Sequence, residues 1–403
     1  MTTGNVSLPS RPSPGSIHHQ AVPFWRDVRV LAILSQIAFV VVVAVIAGLL
    51  YANLTSALVT RGLSSDFGFL DDEAGFEIKE GISYTPADTY GRAFLVGLFN
   101  TIRVAVLGTV LATLLGVVMG VARLSSNWLV AQIASAYIEI MRNTPLLVQL
   151  VFWYFAVVFQ LPLVNQSLQL PGPIFINRRG VFMPGPLTTP ATTAWLIFVG
   201  IALVVAVAVW ALRRRWQEQT GRPGYPWALG ILALGVIATA GWFLAGESPL
   251  IVEAPSLQGF NFKGGLRLTP EFFALLLGLV VYTGAFIAEV VRGGILAVSK
   301  GQVEAAKALG LSTMLTLRLV IFPQAVRIII PPLISQYLNL AKNSSLAIAI
   351  GFPDLFMVGQ TMQNQTGRPI PVYAMIMASY LIMSLVTSVL MNIYDRRMQF
   401  VLR

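Results

Sequence analysis

The stretch that decides the fold reads Gln302-Val-Glu-Ala-Ala-Lys-Ala-Leu-Gly310 and, after nine intervening residues, Val320-Ile-Phe-Pro-Gln-Ala-Val-Arg327. It is short and polar, yet it lies between two long apolar runs. Residues 302–311 are fair helix formers apart from Gly310, and glycine readily adopts the left-handed conformation that ends a helix. Pro323 would disrupt the helix that follows. The stretch therefore predicts a helix over residues 302–311 that is too short to span a bilayer and lies along the membrane face.

The composition is that of a membrane protein. Apolar residues make up 56% of the 403 residues and charged residues only 11%, less than half the share usual in soluble domains. Apolar runs of the roughly 20 residues needed to cross a bilayer recur along the chain. They cover about 30–52, 97–122, 128–160 with a break near Pro145, 192–212, 227–245, 271–291, 328–350 and 371–394. We therefore predict an all-α polytopic membrane protein with about eight transmembrane helices.

The net charge of +10 could indicate a nucleic-acid partner, but the basic residues are not gathered on one soluble face. They lie at alternate ends of the apolar runs, as the positive-inside rule describes. The segments placed in the cytoplasm contain Arg26 and Arg29, then Arg213, Arg214, Arg215 and Arg222, then Arg396, Arg397 and Arg403. The acidic loop over residues 66–88 then lies outside, and only the loop with Arg178 and Arg179 fits poorly. We expect both termini in the cytoplasm and no nucleic-acid partner.

No catalytic or metal-binding constellation is recognisable in the sequence. There is no cysteine, and the two histidines, His18 and His19, lie in the N-terminal tail. The acidic cluster Asp71-Asp72-Glu73 lacks the ligand spacing of a cation site. The chain also lacks the Gly-x-x-x-x-Gly-Lys-Ser/Thr loop that binds nucleotide phosphates. We expect no enzyme, no metal site and no cofactor bound by this chain.

The sequence divides into five segments. They are a disordered cytoplasmic tail (1–25), a first transmembrane helix with an acidic periplasmic loop (26–93), a first core block (94–160), an insertion with two plain hydrophobic helices (161–270) and a second core block (271–400). In the first core block Gly108, Ala112, Gly116 and Gly120 recur every four residues. Such a row lets a neighbouring helix backbone approach closely, and packing is favoured over a moving seam.

Two pairs of opposite charges lie near helix ends. Glu139 and Arg142, and likewise Glu289 and Arg292, are three residues apart and so share a helical face. Charges this close to hydrocarbon are costly unless they are paired or hydrated. Structural ion pairs that brace the cytoplasmic end are the favoured interpretation. A gating role, or a place for Glu289 on a substrate pathway, is the alternative.

Polar residues inside the apolar runs are candidates for a pathway. Lys342 lies near the middle of its run between Asn339 and Asn343. An unpaired lysine in hydrocarbon is unfavourable by about 3 kcal/mol, so it must face a polar interior. There it would pair with an acidic neighbour or contact the carboxylate of a substrate. Asn100 and Thr101 lie near the outer end of their helix, where they either line a pathway or cap the interface.

Several motifs together resemble one family of transport proteins. The spacing of Glu304, Ala305, Ala306, Gly310 and Pro323 resembles the docking element of ATP-binding-cassette permeases, with mild departures at Val320 and Phe322. Residues 284–311, Arg142-Asn-Thr-Pro-Leu-Leu-Val-Gln-Leu, Phe322-Pro-Gln-Ala-Val-Arg and Lys342-Asn-Ser-Ser-Leu closely resemble permeases of polar amino-acid uptake systems. The extra first helix and the two-helix insertion resemble the larger permeases of general L-amino-acid transport systems.

This resemblance implies a type I importer core in the bacterial inner membrane that moves several L-amino acids. It also implies partners: an ABC ATPase dimer that uses the ATP, a periplasmic amino-acid-binding protein, and a second related permease forming a heterodimer with this chain. The alternative class is a secondary transporter driven by an ion gradient. The docking element, the missing inverted repeat and the few membrane carboxylates disfavour that alternative.

Overall fold

The structure is a computed structural model that describes residues 28–61 and 66–399. The predicted tail, residues 1–25, lies outside these ranges, as do Arg26 and Arg403. The described chain forms two units, with the division after Ser65. The first unit contributes α1 (Val28–Arg61), an apolar helix without any acidic residue.

The second unit is mainly helical. Its helices are α2 (Tyr90–Ala122), α3 (Trp128–Asn143), α4 (Leu146–Val151), α5 (Pro190–Thr220), α6 (Pro226–Leu244), α7 (Pro270–Leu296), α8 (Lys300–Ala308), α9 (Thr313–Thr316), α10 (Phe322–Asn343), α11 (Leu355–Thr366) and α12 (Pro369–Gln399). Among the described residues seven helical segments are long and apolar enough to cross a membrane. An eighth span results if α3 and the segment Leu146–Gln160, which meet at a 108° bend, are counted as one. The predicted helical membrane fold and the break near Pro145 are confirmed.

The contact of α2 with α7 lies at the centre of the bundle, and the glycine row makes it possible. A Cβ atom at Gly116 would lie 2.5 Å from Cγ2 of Ile287, and one at Gly120 would lie 2.6 Å from the carbonyl oxygen of Ala288. A backbone oxygen cannot move aside as a side chain can, so this approach requires glycine at position 120. Gly116 of α2 lies against Ile287 of α7, and Gly120 lies against Ala288. Residue numbers thus increase in the same direction along both helices, so α2 and α7 run parallel.

The bundle therefore has two ends that can be named. The docking end is where α7 finishes at Leu296 and α8 follows. The far end is where α2 begins at Tyr90 and α7 begins at Pro270. Residues 66–89 fold onto the far end, where Phe69 packs in a buried cluster with Leu355 of α11. The acidic loop thus belongs to the second unit, whereas α1 belongs to the first.

The insertion, residues 161–270, contains strands that were not predicted. They are β1 (Leu168–Leu170), β2 (Ile174–Asn177), β3 (Gly180–Met183), β4 (Gly185–Thr188), β5 (Leu250–Glu253), β6 (Ser256–Gln258), β7 (Asn261–Lys263) and β8 (Leu266–Leu268). β3 pairs with β8 and β4 with β5, so the chain before α5 is bonded to the chain after α6. The ring of Phe262 lies 4.5 Å from that of Phe175 and 5.2 Å from that of Phe182. The insertion therefore forms one four-stranded and two two-stranded sheets at the far end, and the pairs β3–β8 and β4–β5 close the α5–α6 hairpin.

Candidate functional site

The predicted docking helix is present as α8, with shifted bounds. It spans Lys300–Ala308 rather than 302–311. It ends early because Gly310 adopts φ +76°, a left-handed conformation. The N–H of Gly310 donates to the carbonyl of Lys307 at 2.9 Å, and the N–H of Leu311 donates to the carbonyl of Ala306 at 3.1 Å. These two bonds form a Schellman ending, which satisfies carbonyls that the helix would otherwise leave free.

One side of α8 is anchored and the other is open. Ala306 is buried, with 3% of its surface exposed. Glu304 and Ala305 are exposed, and Leu309 directly after the helix has 81% of its surface exposed. An exposed leucine at the end of a short helix that also exposes a carboxylate, outside the apolar spans, is typical of a surface that a partner protein covers.

The chain returns from α8 through a helix with a widened turn. Ser312 caps α9 by accepting the N–H of Leu315 at 3.4 Å. A π-helical turn over Leu317–Ile321 then precedes Pro323, which occupies the first turn of α10. A widened turn is one way in which a helix accommodates a proline ring and its missing N–H. Pro323 therefore changes the local winding of this span without ending it.

A network of four charged residues lies at the docking end. Glu289 accepts from Arg292 on its own helix at 2.5 and 3.0 Å. It also accepts from Arg123, which directly follows α2, at 2.8 Å. The same guanidinium lies 3.4 Å from Glu139 of α3. The network therefore ties together α2, α3 and α7 close to the start of α8.

This network corrects one predicted pair. Glu289 pairs with Arg292 as the spacing indicates, but Glu139 pairs with Arg123 and not with Arg142. The guanidinium of Arg142 lies instead over the ring of Phe286, 5.4 Å from its centroid. Arg123 was not singled out from the sequence, because helical spacing identifies neighbours on one helix and Arg123 comes from another.

A polar pocket lies between α7 and α10. It has a volume of about 230 Å³ and is lined by Tyr282, Thr283, Phe286, Gln336, Asn339 and Asn343. Amides, hydroxyls and aromatic rings at this depth of a helical bundle offer both donors and acceptors without a fixed charge. The predicted pathway residues Asn339 and Asn343 thus meet in one cavity, together with α7 residues that the sequence analysis did not identify.

Lys342 lies elsewhere on α10. Its exposed side chain lines a separate groove of about 1030 Å³ that runs beside α12. The predicted cluster of Asn339, Lys342 and Asn343 is therefore divided between two cavities.

The structure gives Asn100 and Thr101 packing partners at the far end, where both are fully buried. The Asn100 amide donates to the carbonyl oxygens of Glu80 at 3.1 Å and Pro353 at 2.9 Å. The Thr101 hydroxyl accepts the N–H of Leu355 at 3.0 Å. These bonds fasten α2 to the loop before it and to the turn that leads into α11.

Asp354 is a buried carboxyl in the same turn, between the candidate spans Thr313–Ile350 and Pro369–Ile393. Its Oδ1 caps α11 by accepting the N–H of Met357 at 2.9 Å, and its Oδ2 accepts the hydroxyl of Tyr380 at 3.3 Å. Burial raises the pKa of the Asp354 carboxyl to about 6, although these hydrogen bonds act in the opposite direction. No sequence motif marks Asp354.

Within residues 28–61 and 66–399 no three metal-ligating side chains come together. The described chain instead combines membrane-length helices, a polar pocket between two of them and a short exposed helix at one end. These features define a membrane permease subunit.

The family follows from comparison with known proteins. The family described as "Binding-protein-dependent transport system inner membrane component" matches residues 112–400, more than half of the chain. The chain belongs to this family, and the resemblance found in the sequence is confirmed. It is therefore a permease subunit of an ATP-binding-cassette importer in the inner membrane. Importers of this family work with a binding protein and with an ATPase that is a separate subunit.

Individual relatives match over nearly their whole length. YhdX of Escherichia coli K12, named as an amino-acid ABC transporter permease protein, is 47% identical over 93% of this chain and 95% of that protein. The general L-amino acid transport system permease protein AapQ of Rhizobium johnstonii is 43% identical, over 94% of each chain. BztB of Rhodobacter capsulatus, a glutamate/glutamine/aspartate/asparagine transport system permease protein, is 38% identical over 92% of this chain and 94% of BztB. None of these relatives is named as an ion-gradient-driven transporter.

Proposed function

We propose that this permease moves amino acids, several L-amino acids among them, while ATP is bound and hydrolysed only by a separate ATPase dimer. The observation that carries the mechanism is the open face of α8, where Glu304, Ala305 and Leu309 are exposed beside the anchored Ala306. A short helix presented in this way fits a groove on a partner protein. The names of the three relatives support the choice of amino acids as cargo.

Coupling runs from α8 into the bundle through the end of α7. Arg292 and Glu289 lie in the last two turns of α7, and Arg123 ties this point to α2. An ATPase that binds α8 more tightly in one state of the bundle shifts the population toward that state. The four-charge network then acts as a brace or gate that changes partners when the helices move.

The cargo contacts are assigned to the polar pocket between α7 and α10. Asn339 and Asn343 present amides that can bond both the carboxylate and the ammonium group of an amino acid. Thr283 and Tyr282 add hydroxyls from the opposite wall. A site without a fixed charge fits a transporter that accepts several amino acids.

The docking end faces the cytoplasm in this proposal, and both termini lie on that side. The far end, with its acidic loop and small sheets, then faces the binding protein. An ATPase dimer needs two docking helices, and the described chain contains one such helix, so a second related permease completes the importer.

Uptake by the complete importer tests the proposal. Cells or vesicles containing the chain, its ATPase and its binding protein are supplied with labelled amino acids. Depletion of ATP should abolish uptake, whereas an uncoupler at constant ATP should leave it intact. Uptake that survives ATP depletion and collapses with the uncoupler would favour an ion-gradient mechanism.

A further inference from the structure

A large groove runs beside α12, and it is almost wholly apolar. It has a volume of about 1030 Å³ and runs along the first turns of α12, from Pro369 to Leu381. Met377 and Leu381 on its wall have 71% and 59% of their surfaces exposed. The cation that faces this groove is Lys342.

Lys342 lacks a counter-charge within the described residues. The ion pairs and side-chain hydrogen bonds found among them include none to its ammonium group. Lys342 lies two residues after Leu340, and Leu340 packs against Gly108 near the middle of α2. Gly108 is 14 residues from Ala122, the nearer end of α2, which corresponds to about 21 Å at the helical rise. That distance is longer than a lysine side chain, so the charge cannot simply reach the end of the bundle. A lone cation at this depth is unfavourable unless it faces water or an opposite charge, and an apolar groove favours a partner that brings a negative charge.

The candidate spans of the described chain offer no such partner, and the buried Asp354 beyond them is held by the Met357 N–H and the Tyr380 hydroxyl. α1 contains no Asp or Glu, so it has no carboxylate with which to neutralise Lys342. The acids within the candidate spans are all engaged, which also excludes them in a second copy of this chain. They are Glu139 with Arg123, Glu218 with Arg214, Glu271 with Tyr154, and Glu289 with Arg292.

The wall of the groove has the shape that a helix needs. Ala374 and Ala378 are exposed and four residues apart, so they lie one above the other on α12. Small residues at this spacing let a second helix approach closely within a membrane. A lipid chain would fill the groove equally well, but its headgroup charge stays at the interface and away from Lys342.

We propose that a transmembrane helix of a second, different permease packs against Ala374 and Ala378 and places a carboxylate beside Lys342. This inference rests on the proposed function, because it specifies how the second permease joins. The partner chain must differ from this one, since the described spans of this chain contain no free acid to offer in return.

Purification of the whole importer in mild detergent, through a tag on this chain, tests the assembly. The ratio of second permease to this chain is measured for Lys342→Met, Lys342→Arg and Ala378→Leu, with Ala208→Leu on the exposed face of α5 as the matched control. Loss of the charge or filling of the groove should lower the ratio at least about fivefold, which corresponds to roughly 1 kcal/mol. Lys342→Arg and Ala208→Leu should retain the wild-type ratio.

A cross-linking measurement keeps the test independent of folding defects. The chain has no cysteine, so Ala378→Cys introduces a single thiol for a photoreactive cross-linker. The expected adduct lies on a transmembrane helix of the second permease, within two turns of an Asp or Glu. Exchange of that acid for Lys should then rescue Lys342→Glu.

The outcomes distinguish a failure of the proposed function from a failure of the groove assignment. A wild-type chain that recovers no ATPase contradicts the proposed function itself. If the wild-type complex is intact, unchanged ratios in Lys342→Met and Ala378→Leu overturn the groove assignment alone. Adducts only with lipid, with α1 or with another copy of this chain also overturn it. Reduced uptake by Lys342→Met at an unchanged ratio would overturn it too, and would assign Lys342 to the cargo.

Discussion

The guanidinium of Arg123 donates to Glu289 across 2.8 Å and also lies 3.4 Å from Glu139, so one cation joins three helices. Arg123 directly follows α2, where the partial negative charge of the helix C-terminus further favours a cation. Glu289 in turn holds Arg292, two residues before Gly294 and close to the start of α8. In the proposed mechanism, the strength of this junction decides how motion of α8 reaches the bundle.

We expect Arg123→Ala to lower uptake several-fold and the free energy of unfolding by about 2 kcal/mol, because it leaves Glu139 and part of Glu289 without a donor. Uptake and thermal unfolding of the purified complex measure the two effects. Arg123→Lys should recover part of both. Arg213→Ala, which removes a solvent-exposed charge from α5, serves as the control and should change neither quantity.

Gly310→Val should abolish uptake while the chain still inserts into the membrane. A β-branched residue is strained at φ +76°, so the Schellman ending of α8 would be lost and the docking surface displaced. Recovery of the ATPase with the tagged chain should fall at least about tenfold. Gly221→Val imposes the same strain at φ +66° after α5, also in open space, and should retain ATPase binding. Normal ATPase recovery with Gly310→Val would count against α8 as the docking element.

Gly120→Ala should destabilise the bundle, because the added methyl group would lie 2.6 Å from the carbonyl oxygen of Ala288. Separation of α2 from α7 should lower the free energy of unfolding by about 2 kcal/mol. Gly200→Ala, in the middle of α5 with no atom within 4 Å of its new Cβ, should instead be neutral or stabilising by about 0.5–1 kcal/mol. Thermal unfolding in detergent compares the two variants, and equal effects would contradict the close α2–α7 contact.

Asp354 predicts a pH dependence of stability. Its pKa of about 6 in the folded protein lies above the ordinary value of 3.8, so the folded state binds the proton more tightly than the unfolded state. Stability from this group therefore rises as the pH falls through 6, by up to about 3 kcal/mol, and is lost as the pH rises again. Asp354→Asn keeps an oxygen for the Met357 N–H and should remove this component. Melting temperatures of both proteins at pH 5, 6 and 7.5 measure it, and parallel curves would disprove the assignment.

Asn339→Ala and Asn343→Ala should raise the substrate concentration needed for half-maximal uptake by about tenfold each, since an unpaired polar group is left facing the cargo. ATPase recovery should be unchanged, because the pocket lies away from α8. Asn392→Ala on the exposed part of α12 is the control. An unaltered concentration dependence in both pocket variants would remove these amides from the cargo path.

Much of this architecture could be predicted from local patterns. The long apolar runs are membrane-length helices in the structure, α8 ends at the left-handed Gly310, and the row containing Gly116 and Gly120 packs against α7. Each of these depends on residues near one another in the sequence. The glycine row is informative because few physical purposes other than close approach require small residues every four positions in a membrane helix.

What could not be predicted depends on distant parts of the chain. Glu139 has Arg142 one turn away, yet it pairs with Arg123, which the packing of α2 brings closer. The strands have three or four residues each, too few for a clear alternating pattern, and β3 finds β8 only across the α5–α6 hairpin. Lys342 and Asn343 likewise line different cavities, because α12 lies beside Lys342 on one side of α10 and α7 lies beside Asn343 on another.

The pairing of β3 with β8 has a consequence for synthesis in the cell. β1, β2 and β3 leave the ribosome before β8, so β3 keeps an open edge until β8 has been made. Between them α5 and α6 must each enter the bilayer, in opposite directions. If either helix failed to insert, β8 would be left on the other side of the membrane from β3, and the sheet could not close. The sheet therefore closes only when both helices have inserted correctly, and a misinserted chain keeps an open strand edge that can pair with other chains.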